Sequence, residues 1–168
     1  VFVTAATGGA VAVACATSGP WIGLPVKAGP AIYFTAEDDE DEVHRRLDDI
    51  LRATGGSYDD LADLIICSYA GKDALLATQA TPTAPLQPTD LFRRLDMRMA
   101  AVKPAVVVLD TLADLFPGNE NDRAQARQFI GLLRSLAIKH DCAVILLAHP
   151  SLSGLNSGSG TSGSTAWN

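Results

Sequence analysis

The stretch "AIYFTAEDDEDEVHRRL" (residues 31–47) passes from an apolar, aromatic-containing run straight into six consecutive carboxylates, Glu37, Asp38, Asp39, Glu40, Asp41 and Glu42. An unbroken apolar run without polar alternation suits a strand buried on both faces, as in a parallel sheet. Beyond it, Val43, Leu47, Ile50 and Leu51 fall on one face of a helix predicted over 38–54, which stops at Gly55 and Gly56. A strand leading into a helix with almost no connector is one βα unit. Six adjacent like charges repel unless a solvated helix start or a chemical task accommodates them. Asp38 to Glu42 suit the cap and first turn of that helix, where its dipole favours negative charge. Glu37 lies outside that turn, at the strand's tip. It reads either as an ordinary strand-end residue or as a group placed for chemistry.

The same alternation recurs along the chain. Strands are predicted at "VFVTA" (1–5), "LIICSYA" (64–70), "AVVVLD" (105–110) and "AVILLAH" (143–149). Helices are predicted at 88–102, capped by Thr89 or Asp90, and at 121–140, where Lys139 and His140 suit the negative end of the dipole. Repeated βα units predict an α/β domain with a mostly parallel sheet flanked by helices. "ATQATPTAPLQP" (77–88) reads as a surface loop. "SLSGLNSGSGTSGS" (151–164) reads as a flexible loop following a strand's C-terminal end, the edge where open α/β sheets bind ligands.

At 168 residues with 48% hydrophobic content the chain can bury one real core. Its net charge of −6 excludes a protein that attracts nucleic acid by overall charge, so such binding needs a local basic patch. No apolar run reaches the roughly 18 residues of a membrane span, and the opening residues lack the basic start of a signal peptide. Cys15, Cys67 and Cys142 stand singly in apolar runs, as reduced core residues of a cytoplasmic protein do.

Three polar residues end three predicted strands: Glu37, Asp110 and His149. If the strands carrying Glu37 and Asp110 are neighbours, the two carboxylates converge. One can then activate a water while the other orients Mg2+. Each residue alone also has a plain structural account, as a turn carboxylate or a satisfied histidine.

Taken in order, "YFTAEDDEDEVHRRL", "VVVLDTLADL", "AVILLAHPS" and "GSGTSGSTAWN" make the chain resemble the RepA-type hexameric replicative helicases and the related plasmid and phage AAA-type ATPases built on the RecA core. "GPWIGLPVKAGPAIYFTAED" is similar to the segment joining that family's first helix to its second strand. The resemblance implies a single RecA-like P-loop NTPase domain over 1–168. It implies a motor that uses ATP and Mg2+ to act on single-stranded DNA as a homo-oligomer, a hexameric ring. By the same resemblance Glu37 is the base that activates the attacking water and Asp110 is the Walker B carboxylate in the Mg2+ shell. Thr111 supports that water network, and His149 senses the γ-phosphate. Arg46 matches the family's arginine in "HRRL" and is placed with the nucleotide-binding residues. The loop 151–164, with Ser153, Gly154, Asn156, Ser157 and Gly158, corresponds to the segment that faces DNA.

One departure stands out. The family's phosphate-binding loop, Gly-x-x-x-x-Gly-Lys-Ser/Thr, wraps the phosphates with backbone N–H groups and a lysine. The chain instead offers "VFVTAATGGAVAVACATSG" (1–19), with Gly8 and Gly9 as remnants of a cofactor-binding loop, and its first lysine is Lys27. Spacing back from Pro20 places the expected lysine near Ala5. The expectation is a fragment without an intact loop or the C-terminal strands, impaired in hydrolysis. A second reading is a degenerate ATPase fold that binds nucleotide or partner subunits without turnover. A third is a metal-dependent phosphoesterase using Glu37, Asp110 and His149. Arg93, Arg94 and Arg98 share one predicted helix, as DNA-phosphate contacts or as a solvated face covering the sheet.

Overall fold

The computed structural model of the chain describes residues 5–81, 84–118 and 122–148. Its elements in chain order are α1 (Ala5–Thr17), β1 (Ala31–Thr35), α2 (Glu40–Thr54), β2 (Leu64–Ser68), β3 (Ala77–Thr78), β4 (Gln87–Pro88), α3 (Asp90–Val102), β5 (Val106–Asp110), α4 (Leu112–Leu115), α5 (Arg123–His140) and β6 (Ala143–Leu146). Strands β2, β1, β5 and β6 form one sheet in that order, with every pairing parallel. The register sets Thr35 opposite Asp110 on one side and Ser68 on the other. This is the α/β architecture of a RecA-like P-loop core, a parallel sheet flanked by helices.

All residues of β1 and β5 are buried, because helices cover both faces of the sheet. Alternate residues divide between two cores. Tyr33, Val106 and Val108 face α1 and α2, where they meet Val11, Val13, Val43 and Leu47. Ile32, Phe34, Val107 and Leu109 face the other way, toward Leu95, Met99, Phe129 and Leu133 of α3 and α5.

Helix ends follow local chemistry. Asp39 caps α2 by accepting the Glu42 N–H, and Gly55 closes it at φ 72°. Thr89 caps α3 through the Phe92 N–H, and Asp122 caps α5 through the N–H groups of Ala124 and Gln125. Asp96 on α3 accepts from Lys139 and pairs with His140 at 2.6 Å, which ties α3 to the end of α5. These contacts hold the carboxyl of Asp96 below its usual range.

Two expectations are corrected. The strand expected at 1–5 ends in a residue that instead opens α1, and residues 1–4 lie outside the described set. The segment 77–88 is not a free loop. It contains the β3–β4 pair, buries Leu86, and is tethered where the Leu86 N–H donates to Gln128 Oε1 at 2.8 Å. Cys15, Cys67 and Cys142 are free thiols. Among the described residues no helix is long and apolar enough to cross a membrane.

Candidate active site at the C-terminal edge of the sheet

Parallel strands deliver all their C-terminal ends to one edge, and adjacency decides which side chains meet there. β1 and β5 are adjacent, and the chain leaving β1 is still pinned to β5 by the Ala36 N–H, which donates to the Asp110 carbonyl at 2.6 Å. Glu37 therefore stands, exposed, at the same edge as Asp110. The Thr35 hydroxyl accepts the Asp38 N–H at 3.1 Å and turns the chain toward α2.

Asp110 is fully buried. Its Oδ2 accepts the hydroxyl of Tyr33 at 2.7 Å, while its Oδ1 is buried without a hydrogen-bond partner. The contact follows from register: Tyr33 and Thr35 lie on one face of β1, Thr35 is opposite Asp110, and Tyr33 reaches along that face. Beside them Asp38 is also buried, with Arg46 Nη1 2.5 Å from its Oδ2. The contact is an ion pair. Arg46 Nε donates to Glu42 Oε1 at 2.9 Å, so the guanidinium is held between two carboxylates.

The electrostatics describe one shared field. Burial pushes the Asp110 carboxyl above its ordinary value; the Tyr33 hydrogen bond opposes this, the charges on Asp38 and Glu37 add to it, and Arg46 opposes it. Burial likewise raises Asp38, opposed by Arg46 and reinforced by Glu37, Glu42 and Asp39. The Tyr33 hydroxyl is raised beyond the usual phenol range by burial and by Asp110, so it stays a proton donor. Two buried carboxylates thus face one guanidinium, and one carboxylate oxygen lacks a partner.

Thr111, joined to Asp110 by a cis peptide, is buried and donates its hydroxyl to Asp114 Oδ2 at 2.8 Å at the start of α4. α1 runs antiparallel to the strands. Near its end the Cys15 carbonyl accepts the N–H of Gly29, just before β1, so its first turn lies at the Asp110 edge. A Cβ at Gly8 would come within 2.6 Å of Leu147 Cδ1 and 3.0 Å of Val108 Cγ1. Gly8 and Gly9, expected in a loop remnant, are thus α1 residues, and Gly8 lets the helix close onto the sheet. Lys27 precedes β1 and lies 3.8 Å from Asp141, which precedes β6. It occupies the opposite edge and cannot replace a phosphate-loop lysine.

Among the described residues no group of three or more His, Cys, Asp or Glu is gathered to hold a metal alone. A hydrated Mg2+ shared with phosphate oxygens needs only one or two carboxylates. The unpartnered Oδ1 of Asp110 fits that demand. His149 and the loop residues Ser153, Gly154, Asn156, Ser157 and Gly158 lie outside the described residues. Of the three arginines on α3, Arg93 pairs with Asp90, while Arg94 and Arg98 line a groove with Cys67 and Tyr69 beside β2.

With this edge in view, the comparison with known families is decisive: the AAA domain family matches residues 4–154. The chain belongs to the AAA domain family. No curated protein matches it at a significant level. As an AAA domain, of the AAA-type P-loop ATPases, it has a fold whose members bind nucleotide, typically with Mg2+. Two residues of this AAA domain's edge were not singled out from the sequence. Tyr33 looked like any aromatic strand residue, and Asp38 was grouped with the helix start. Asp39 caps that helix and Glu40, Asp41 and Glu42 form its first turn, but Asp38 is buried with Arg46.

Proposed function

We propose that this AAA domain is the ATP-hydrolysing motor of a RepA-like replicative DNA helicase, acting on single-stranded DNA as a hexameric ring. The observation that carries the reading is the unpartnered, buried Oδ1 of Asp110 beside Glu37, at the edge where α1 begins. Bound MgATP supplies the scissile phosphoanhydride and a cation that neutralises charge on the phosphate oxygens. Asp110 would hold a water of that cation through Oδ1, with Tyr33 fixing Oδ2. Glu37, exposed at the strand tip, would accept the proton of the attacking water. Arg46 keeps Asp38 compensated, so that the negative field at Asp110 does not grow further. The backbone N–H groups at the start of α1 would face the phosphates.

The test is MgATP hydrolysis by the protein, compared with Glu37→Gln. The substitution is expected to lower the rate by about 10²–10⁴-fold with nucleotide binding kept. Equal rates would remove Glu37 from its role. Stimulation by single-stranded DNA tests the helicase assignment separately.

A second reading, a binding module without turnover, is favoured by the absence of lysine from residues 1–26. Calorimetric titration with ADP and a non-hydrolysable ATP analogue separates the two. Tight binding without hydrolysis supports the module.

A further inference from the structure

Asp110 holds its carboxylate in an unusual way for a group completely removed from solvent. One oxygen is tied, the other is bare, and the tie comes from the neighbouring strand and not from its own loop. The donor, Tyr33, is itself fixed. Its ring lies in the core between the sheet, α1 and α2, with Val11, Val43, Leu47 and Val108. It is 3% exposed, so it has no room to leave Asp110 for water. A carboxylate with two free oxygens could rotate about χ2 and present either one. With Oδ2 taken by a rigid phenol, only Oδ1 is left without a partner.

We propose that Tyr33 is a positioning residue for the cation at this site: its hydroxyl orients Asp110 so that Oδ1 alone meets a water of the nucleotide-bound Mg2+. The inference rests on the function proposed above and adds a residue that the family resemblance did not supply. Tyr33 touches neither nucleotide nor cation. It acts by making the geometry of Asp110 single-valued before any ligand arrives, so the cost of ordering is met by the fold.

Tyr33→Phe isolates the hydroxyl, because the ring and its packing are retained. The measurement is binding of a fluorescent ADP to the purified protein at increasing Mg2+, with and without chelator. Tyr33→Phe is expected to raise the Mg2+ concentration for half-maximal enhancement by about tenfold, the loss of one hydrogen bond to a charged group. Affinity for metal-free nucleotide should stay within about twofold. A merely structural tyrosine would shift both affinities together. 4-Aminophenylalanine at position 33 restores an N–H donor and should recover most of the Mg2+ dependence. If Tyr33→Phe does not fold, 4-fluorophenylalanine at position 33, close to tyrosine in size but without a donor, serves as the test variant. Asp110→Asn separates the two levels of argument. If Asp110→Asn weakens the Mg2+ dependence and Tyr33→Phe does not, the positioning role is overturned and the proposed function stands. If Asp110→Asn changes nothing, or the unmodified protein binds no nucleotide, the site assignment itself is overturned and Tyr33 has nothing to position.

Discussion

Adjacent glycines in α1 should respond to the same substitution with opposite signs. Replacing a mid-helix glycine by alanine ordinarily stabilises by about 0.5–1 kcal/mol through backbone entropy. At Gly9 nothing opposes this, since an added Cβ would find Ile50 Cδ1 at 3.4 Å, and Gly9→Ala should gain that amount. At Gly8 the added carbon would sit 2.6 Å from Leu147 Cδ1 and 3.0 Å from Val108 Cγ1. Both neighbours are buried, Val108 completely and Leu147 at 2% exposure, so neither can swing into solvent. Overpacking of this kind costs about 1–3 kcal/mol, so Gly8→Ala should be net destabilising by about 1–2 kcal/mol. Urea denaturation followed by circular dichroism gives the two midpoints, and thermal melting should separate the variants by about 4–8 °C for a chain of this size. If Gly8→Ala is as stabilising as Gly9→Ala, α1 does not lie against β5 and β6 as described, and the placement of its first turn beside Asp110 fails too.

Other outcomes follow from the buried charges. Arg46→Ala strands the Asp38 carboxylate and should destabilise by about 2–3 kcal/mol in urea titration, discounted from a fully buried pair because Arg46 is 29% exposed. For Asp110 the folded carboxyl is raised above its ordinary 3.8, chiefly by burial. The folded state therefore binds the proton more tightly, and this residue's contribution to stability falls as pH rises from about 4 through the folded value. Asp110→Asn should make the protein more stable at neutral pH and flatten that part of the profile, measured by denaturation at pH 5 and 7; unchanged stability at both would contradict the burial.

Much of the fold was legible because periodicity and burial coincide. The unbroken runs at 31–36 and 105–110 become the two strands buried along their whole length. The acidic run gives Asp39 its cap geometry and α2 its first turn. α1 was not legible. Its small, apolar, glycine-containing sequence has neither an amphipathic stripe nor a charged cap, and its helical state comes from contact with the sheet. The site was legible to the extent that strand tips announce themselves: Glu37 and Asp110 end apolar runs. The Tyr33–Asp110 bond was invisible, since it depends on which strands are neighbours and in what register, and 77 positions separate the two residues. Asp38 was hidden by its company, because a carboxylate among five others gives no sign that it alone turns inward.

α1 carries no charged side chain along its 13 residues, and Thr7, Val11, Val13 and Thr17 are β-branched. Its six alanines favour helix, but a segment this short that also carries two glycines and four β-branched residues would be at best marginally helical as a free peptide. Its coil-to-helix transition is therefore slaved to completion of the sheet beneath it. The end of the molecule nearest Asp110 should show amide exchange as slow as the central strands, and lose that protection only when the whole domain opens.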